Sequence, residues 1–296
     1  MLCKRGSHSG LARAGASPDP GPMPIRSNRL PVLLSCLTLA LAAAAPTRAA
    51  DETARQILDR YKSVGNGEQR WTDRQGRLKI TATDPAGGGR VAELTAYQHR
   101  SPGGETKTSL FVRAPSDLKG TAVLSITRGN GETEQWRYRP DGAALERIGD
   151  ASGHEAVVNS DLTFHDLALL EQMTLWTEAD AGATLRGEEG IDSVATYAIE
   201  FTPRRSDIGY RKIVLWLGRD DMVPRAVDLF GDGPYPVKRI RVTGIRSEGA
   251  IPWLECLEIE TPANRSRTTI EATNVVFNRR VDDDLFTPQG LTRGER

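Results

Sequence analysis

The sequence predicts a mainly β protein: a half-open antiparallel β-barrel of about 11–13 strands, covered by an N-terminal amphipathic helix and a short helical lid. Three observations support this fold class. Short runs rich in Val, Ile, Thr and aromatic residues alternate with turns of Gly, Pro, Asn and Asp. The chain lacks the strand–helix–strand rhythm of a parallel sheet. Two stretches have a helical pattern, and a barrel that does not close needs such covers over its open side.

The first helix is expected over residues 51–63, where one face carries Ala54, Ile57, Leu58 and Tyr61. The Gly-Asn-Gly sequence at 65–67 ends it. Strand patterns follow in thirteen stretches: residues 69–83, 90–99, 106–114, 121–128, 134–139, 144–148, 183–188, 194–202, 211–218, 224–230, 236–246, 251–260 and 266–277. The Asn130-Gly131 pair marks a hairpin between the fourth and the fifth strand.

The β pattern stops between the sixth and the seventh predicted strand. Residues 159–177 predict a short helix capped by Asp161 or Thr163, with apolar side chains that would cover the sheet. At the C-terminus, residues 281–288 predict a turn that docks Leu285 and Phe286, and the last few residues are expected to fray.

Composition excludes one broad class of function. The 296-residue chain has 39 basic and 39 acidic side chains, so its formal net charge is zero. Nucleic-acid binding depends on concentrated positive charge, and we therefore expect no nucleic-acid partner. The expected organisation is an upstream tail plus a cleaved signal peptide over residues 1–49 and a single β domain over residues 50–296, with no tandem repeat and no linker.

The signal peptide is predicted from three features in a row. Two arginines, an apolar run over residues 30–45 and small residues at Thr47 and Ala49 follow one another. The run is too short for a comfortable membrane-spanning helix. Two other interpretations are an uncleaved membrane anchor and a lipoprotein signal in which Cys36 is acylated. Met23 lies where a start residue precedes such signals, so residues 1–22 are excluded from the fold.

The residues that carry chemistry in other proteins do not form a recognisable site here. After signal cleavage, His99, His154 and His165 remain, and their spacing does not predict a zinc or copper site. No nucleophile elbow, phosphate loop or dinucleotide fingerprint is present. We predict no enzyme, no metal and no cofactor. A hydrolase working through Asp161, His165 and Asp166 is the remaining enzymatic hypothesis, although His165 is expected at the surface.

Several stretches in order resemble one protein family. They are residues 110–124 (LFVRAPSDLKGTAVL), 135–140 (QWRYRP), 145–148 (LERI), 160–167 (SDLTFHDL), 212–217 (KIVLWL), 222–225 (MVPR), 238–240 (KRI) and 281–288 (VDDDLFTP). This set resembles the outer-membrane lipoprotein-sorting protein family, relatives of the LolA and LolB lipoprotein carriers. The resemblance implies a half-open β-barrel closed by helices, a hydrophobic cavity for acyl chains, a periplasmic location and no catalytic residue. The arginine that locks the lid of the lipoprotein carrier has no recognisable local motif here.

Two functions are therefore considered. The first is a periplasmic carrier that binds the acyl chains of a lipoprotein or lipid in a hydrophobic cavity for transfer towards the outer membrane. Its cavity would be lined by a wall of Leu124, Ile126, Trp136 and Tyr138 and by a lid of Leu162, Phe164, Leu167 and Leu170. The same side chains also suit an ordinary core. The second is a non-enzymatic periplasmic adaptor of a membrane transporter of the resistance–nodulation–division type, with no bound ligand.

Overall fold

The computed structural model describes residues 52–67 and 70–295, and their strands form one antiparallel sheet. Thirteen strands make it up: β1 (Asp73–Thr83), β2 (Gly89–Arg100), β3 (Thr106–Ala114), β4 (Ala122–Thr127), β5 (Thr133–Arg139), β6 (Ala144–Arg147), β7 (Ala181–Ile191), β8 (Val194–Pro203), β9 (Lys212–Gly218), β10 (Pro224–Phe230), β11 (Pro236–Glu248), β12 (Ile251–Thr261) and β13 (Ser266–Phe277). Each predicted stretch overlaps one of them. The predicted tail and signal peptide over residues 1–49 lie outside the described residues.

Strands that follow one another in the chain pair as antiparallel neighbours, except β6 and β7. The strand order runs β6-β5-β4-β3-β2-β1-β13-β12-β11-β10-β9-β8-β7, so β1 pairs with β13 in the middle and β6 and β7 form the two edges. The edge strands β6 and β7 stand at opposite ends of this order and are not paired with each other, so the sheet stays open. This arrangement confirms the predicted mainly β, half-open class.

In the described part of the chain, four α-helices accompany the sheet: α1 (Ala54–Asn66), α2 (Asp150–Gly153), α3 (Phe164–Gln172) and α4 (Pro288–Arg293). Helix α1 begins three residues later than predicted because Thr53 is its N-cap. The Thr53 side chain accepts a hydrogen bond from the Gln56 backbone, and the Gln56 side chain accepts one from the Thr53 backbone. The predicted apolar face is confirmed, since Ile57 and Leu58 are buried in the main core. Among the described helices, none is long and apolar enough to cross a membrane.

Alternation along the strands gives the sheet two apolar faces. The face on which α1 and α3 pack is called the inner face here. Its core on the β7–β13 side includes Ile199, Phe201, Ile213, Leu215, Val227, Leu229, Ile240 and Ile259. Its core on the β1–β4 side includes Ile80, Leu94, Leu110, Val112 and Val123. The two helices therefore cover a nearly continuous apolar surface.

The opposite, outer face is covered by the C-terminal segment on the β3–β5 side. Phe286 and Leu291 pack there with Phe111 and Leu124. The predicted docking of Leu285 and Phe286 is confirmed, and the chain after it is helical as far as Arg293, whereas the last residue lies outside the described residues. The Thr287 side chain caps this helix, α4, and Leu291 on it is buried.

Glycine is required at one position of this segment. A Cβ atom on Gly290 would lie 1.7 Å from the Asp284 carbonyl oxygen, closer than any real contact. Helix α4 therefore folds tightly back on the turn over residues 283–286.

We predict that truncating Leu291 destabilises the whole fold. Leu291 is 1% exposed, so Leu291→Ala should lower the free energy of unfolding by about 2–5 kcal/mol in urea titrations. Leu145, a leucine 39% exposed on β6, provides the control, and Leu145→Ala should change the value by less than about 0.5 kcal/mol. Equal effects of the two variants would contradict the docking of α4.

Candidate functional site

The eight side chains predicted to line one cavity form two sets of four, and the two sets lie on opposite faces of the sheet. The four wall residues are on the outer face, packed with the C-terminal segment: Leu124, Ile126, Trp136 and Tyr138. The four lid residues pack into the two inner-face cores: Leu162, Phe164, Leu167 and Leu170. The cause is the register of β4, whose inner-facing residues are Val123, Ser125 and Thr127. The two sets therefore do not line a common cavity in this structure.

The segment over residues 155–173, called the lid, lies across the inner face and joins its two cores. Leu162, Leu169 and Met173 are buried in the core on the β7–β13 side. Phe164 is buried in the other core, with Val112 and Val123. The lid thus occupies apolar surface on both halves of the sheet.

Helix α3 of the lid begins with a capping box. The Thr163 side chain accepts a hydrogen bond from the Asp166 backbone, and the Asp166 carboxylate accepts one of 2.8 Å from the Thr163 backbone. Of the two predicted caps, Thr163 is the observed one. Asp161 instead accepts hydrogen bonds from the hydroxyls of Ser266 and Thr268 on β13.

The most deeply buried contact of the lid is an ion pair between Asp166 and Lys238 on β11. The Asp166 side chain is fully buried, and Lys238 Nζ and Tyr210 Oη, the latter at 2.5 Å, both donate to its carboxylate. Burial first, and then the adjacent Asp166 carboxylate, raise the pKa of Tyr210, which keeps the phenol protonated as a donor. The Asp166 carboxylate thus accepts from the lid itself, from β11 and from the loop before β9, which fixes α3 in register.

A third carboxylate fastens the C-terminal end of α3 to β4. Glu171 accepts hydrogen bonds of 2.6 Å from Ser125 Oγ and 3.0 Å from Thr127 Oγ1. Burial raises the pKa of Glu171, and the hydrogen bonds from these hydroxyls oppose that effect. Burial of Glu171 therefore disfavours its ionised form in this position.

A fourth carboxylate connects the start of the lid to β5. Arg137 donates to Glu155 at 2.6 Å and to Glu146 at 2.8 Å, and its guanidinium lies 5.6 Å from the centre of the Phe164 ring. An arginine contacting the lid thus exists in the structure, although no local motif identified it. The four acidic side chains that join the lid to the sheet are called the lid anchors: Glu155, Asp161, Asp166 and Glu171.

The N-terminal helix is attached to the segment that joins the lid to β7. Arg55 of α1 donates to the Trp176 carbonyl at 2.6 Å, to the Ala181 carbonyl and to Glu178 at 2.7 Å. The backbone between α3 and β7 is therefore held by α1. Helix α1 and the lid also share the core on the β7–β13 side, where Ile57 and Leu58 lie in one cluster with Leu169.

The residues of the hydrolase hypothesis do not meet. Asp161 and Asp166 are bonded to β13 and β11, as described, whereas the His165 ring packs against His154 with ring centres 4.5 Å apart. His165 is half-buried rather than at the surface, and burial, followed by His154, lowers its pKa. Within residues 52–67 and 70–295, no three His, Cys, Asp or Glu side chains are grouped to hold a metal ion.

A small polar pocket of about 160 Å³ lies beside α3, between β5 and the loop from β8 to β9. Its polar lining includes Gln135, Asp150, His165, Gln172, Arg205 and Asp207. Leu169 also lines it, and this residue packs in the inner-face core. The pocket therefore opens next to the apolar surface that the lid covers.

Sequence reasoning identified the lid but missed its anchors. A signal was present, because Lys238 alternates with Ile240 on the inner face of β11, and Ser125 and Thr127 interrupt the inner face of β4. Polar residues in such positions need partners when they are buried. The sequence does not say that those partners are the acidic residues of the lid.

We predict that breaking the buried ion pair is costly, whereas removing both charges is not. Lys238→Met leaves the Asp166 carboxylate buried without its cation and should lower the free energy of unfolding by about 3–5 kcal/mol. The double variant Asp166→Asn, Lys238→Met should recover most of this loss. Urea titrations measure both, and Arg211→Met, which breaks an exposed pair with Asp232, is the control, expected within about 1 kcal/mol. If Lys238→Met lowered the free energy of unfolding no more than Arg211→Met does, the role of the pair would be contradicted.

We predict opposite pH dependences for two glutamates. The pKa of Glu171 is raised above its ordinary value of 4.5, so the folded protein binds this proton more tightly than the unfolded chain. Stability should therefore fall as the pH rises from about 4.5 through the folded pKa, and Glu171→Gln should remove that fall. The pKa of Glu178 is lowered, first by the hydrogen bond from Arg55, so Glu178→Gln should lose stability at neutral pH and approach the wild type only as the pH falls below about 4.5. Urea titrations at pH 4 and pH 7 that gave both variants the same sign would contradict this assignment.

Comparisons with known proteins bear on the family and the fold. A family model whose description reads "Uncharacterized protein" matches residues 104–293, nearly two thirds of the chain. Among curated proteins, none has a matching sequence. A DUF1329 family protein from Desulfovibrio piger has the same fold with a TM-score of 0.72 at 20% identity, over 80% of this chain and 97% of that one.

Two further solved structures share the fold. An outer membrane lipoprotein-sorting protein domain from Vibrio parahaemolyticus gives a TM-score of 0.72 at 16% identity, over 81% of this chain and 98% of that one. A LolA superfamily protein from Nitrosomonas europaea gives 0.59 at 16% identity, over 80% and 98%. The chain therefore belongs to the family that the matching model describes, and it has the fold of the lipoprotein-sorting and LolA superfamily proteins, as the resemblance in its sequence predicted.

Proposed function

We propose that this protein is a periplasmic carrier that binds the acyl chain of a lipid or lipoprotein on the inner face of its sheet, under the lid. The observation that supports the proposal is the way this apolar face is covered. Among the described residues, no second layer of strands packs on it. Instead, two helices cover it, and the lid is joined to it through buried polar contacts at its anchors.

The lid side chains occupy the surface that a ligand would need. Leu162, Phe164 and Leu169 fill the two inner cores in this closed form. The remaining pocket of about 160 Å³ is smaller than the roughly 300–1,000 Å³ of typical small-molecule sites. An acyl chain would therefore bind by displacing the lid, and would replace its apolar contacts with the sheet.

The energetics of such an exchange suit a carrier. Burial of a CH₂ group contributes about 0.8 kcal/mol, so a sixteen-carbon chain gains a gross ~12 kcal/mol. Ordering the chain and losing the contacts of the lid offset much of this gain. A carrier needs that near balance, because it must also release its ligand.

The part of the lid that precedes α3 is a suitable hinge for moving the lid away from the sheet. Val158 and Asn159 have φ angles of 49° and 56°, in the left-handed region that a β-branched residue rarely adopts. Strain at this connection lowers the cost of moving the lid away from the sheet.

The proposal includes the predicted domain organisation and destination. Residues 1–49 would comprise an upstream tail and the signal peptide for export, and residues 50–296 the carrier domain. The carrier would deliver its ligand towards the outer membrane, as the resemblance to lipoprotein-sorting proteins suggests.

The filled inner face favours one second candidate. An adaptor of a resistance–nodulation–division transporter would need no ligand cavity, and a fully packed inner core is compatible with that role. The two candidates differ in whether the lid opens to an acyl chain.

We predict that weakening one lid contact tightens acyl-chain binding. Tyr210→Phe removes a donor to Asp166 that exists in the closed form, at a cost of about 1.5–3 kcal/mol to that form, so the apparent Kd for a fluorescent fatty-acyl probe should fall about tenfold or more. Tyr138→Phe is the matched control on the outer face and should leave the Kd unchanged.

Circular dichroism establishes that both tyrosine variants are folded before they are titrated. Saturable binding with the expected difference supports a lid-gated carrier. No saturable binding to any of the three proteins supports the adaptor. Weaker binding after Tyr138→Phe would place the ligand on the outer face instead.

A further inference from the structure

The pocket beside α3 contains a buried hydrogen-bond donor that the fold does not use. Gln135 on β5 is 6% exposed and lines the pocket, and its Nε2 atom has no hydrogen-bond partner among the described residues. A buried donor without a partner is costly. A ligand that supplies an acceptor here would remove that cost.

The charges around the pocket do not suit an anion. Arg205 is engaged by Asp207, to which it donates at 3.1 Å and 2.6 Å, and it forms a second pair with Asp180. Asp150 adds another carboxylate to the lining. Phosphate recognition requires free cationic donors, and this lining offers none in excess.

The lining does suit a neutral group that both donates and accepts hydrogen bonds. Gln135 Nε2 is available to a carbonyl oxygen, and the carboxylates of Asp150 and Asp207 accept from hydroxyls. At about 30 Å³ per water molecule, 160 Å³ corresponds to roughly five waters, the size of a small polar group.

The position of the pocket connects it to the inner face. Leu169 lines the pocket and also packs in the inner-face core, and Gln135 is directly opposite Ser125, which bonds to the lid anchor Glu171. A chain lying under the lid would therefore reach the pocket with one end.

We infer that this pocket binds the neutral glycerol-ester head group of an acylated ligand, with an ester carbonyl accepting from Gln135 and hydroxyls donating to the carboxylates. This inference rests on the proposed carrier function and names the head group that the carrier prefers. The acyl chain supplies most of the affinity, and the pocket sets the direction in which the chain lies.

The test separates the head group from the chain. The hydrocarbon probe diphenylhexatriene is titrated directly, and 1-lauroylglycerol and lauroyl-lysophosphatidylglycerol are then titrated as competitors. Gln135→Met keeps the side-chain length but removes the donor. It should raise the Kd for 1-lauroylglycerol about fivefold or more and leave the Kd for diphenylhexatriene unchanged. Gln75→Met, a half-buried glutamine on the outer face of β1, is the control and should change neither.

Each outcome has a distinct meaning. The stability of Gln135→Met should not be lower than that of the wild type, since an unsatisfied buried donor is removed. If Gln135→Met bound 1-lauroylglycerol and diphenylhexatriene with the same ratio of Kd values as the wild type, the head-group site would be overturned and the carrier function kept. Tighter binding of lauroyl-lysophosphatidylglycerol than of 1-lauroylglycerol would overturn the neutral head group. No binding of any of the three compounds would overturn the carrier function and this inference together.

Discussion

The buried contact between Asp166 and Lys238 is the constraint on which the closed form depends. A lysine on the inner face of β11 would be an unpaired charge in an apolar core if α3 did not bring a carboxylate to it. A buried ion pair contributes about as much to the free energy of unfolding as apolar residues in its place would. This pair therefore mainly specifies where the lid lies. The other lid anchors bond in the same way to β4, β5 and β13, so the lid is fixed to four separate strands.

This design differs from that of an ordinary core helix. A helix held by apolar contacts alone can slide by a turn, whereas hydrogen-bonded carboxylates fix its register. At the same time, the apolar contacts of the lid are of the kind that a hydrocarbon chain can replace. In the function proposed here, this well-defined arrangement would alternate with one in which the lid has moved and an acyl chain occupies the inner face.

The C-terminal segment has the complementary role on the outer face. By covering Leu124, Trp136 and Tyr138, it makes the β3–β5 region a rigid two-sided layer. The aromatic residues that seemed from their pattern to belong to a binding wall are therefore structural support for the inner-facing residues of the same strands. Alternation along a strand reveals that two faces are apolar, but it does not say which face meets which helix.

The sequence by itself determined the fold class, the thirteen strands, the first helix and the existence of a lid, because hydrophobic periodicity and turn residues are local signals. It also located the Asn130-Gly131 hairpin and the docking of Phe286. The tertiary structure alone decided the lid anchors, the face on which the wall residues lie and the polar pocket. Asp166 and Lys238 are 72 positions apart, and no local pattern encodes which buried charge will find which partner. Such pairings depend on how strands from distant parts of the chain are brought together across one sheet.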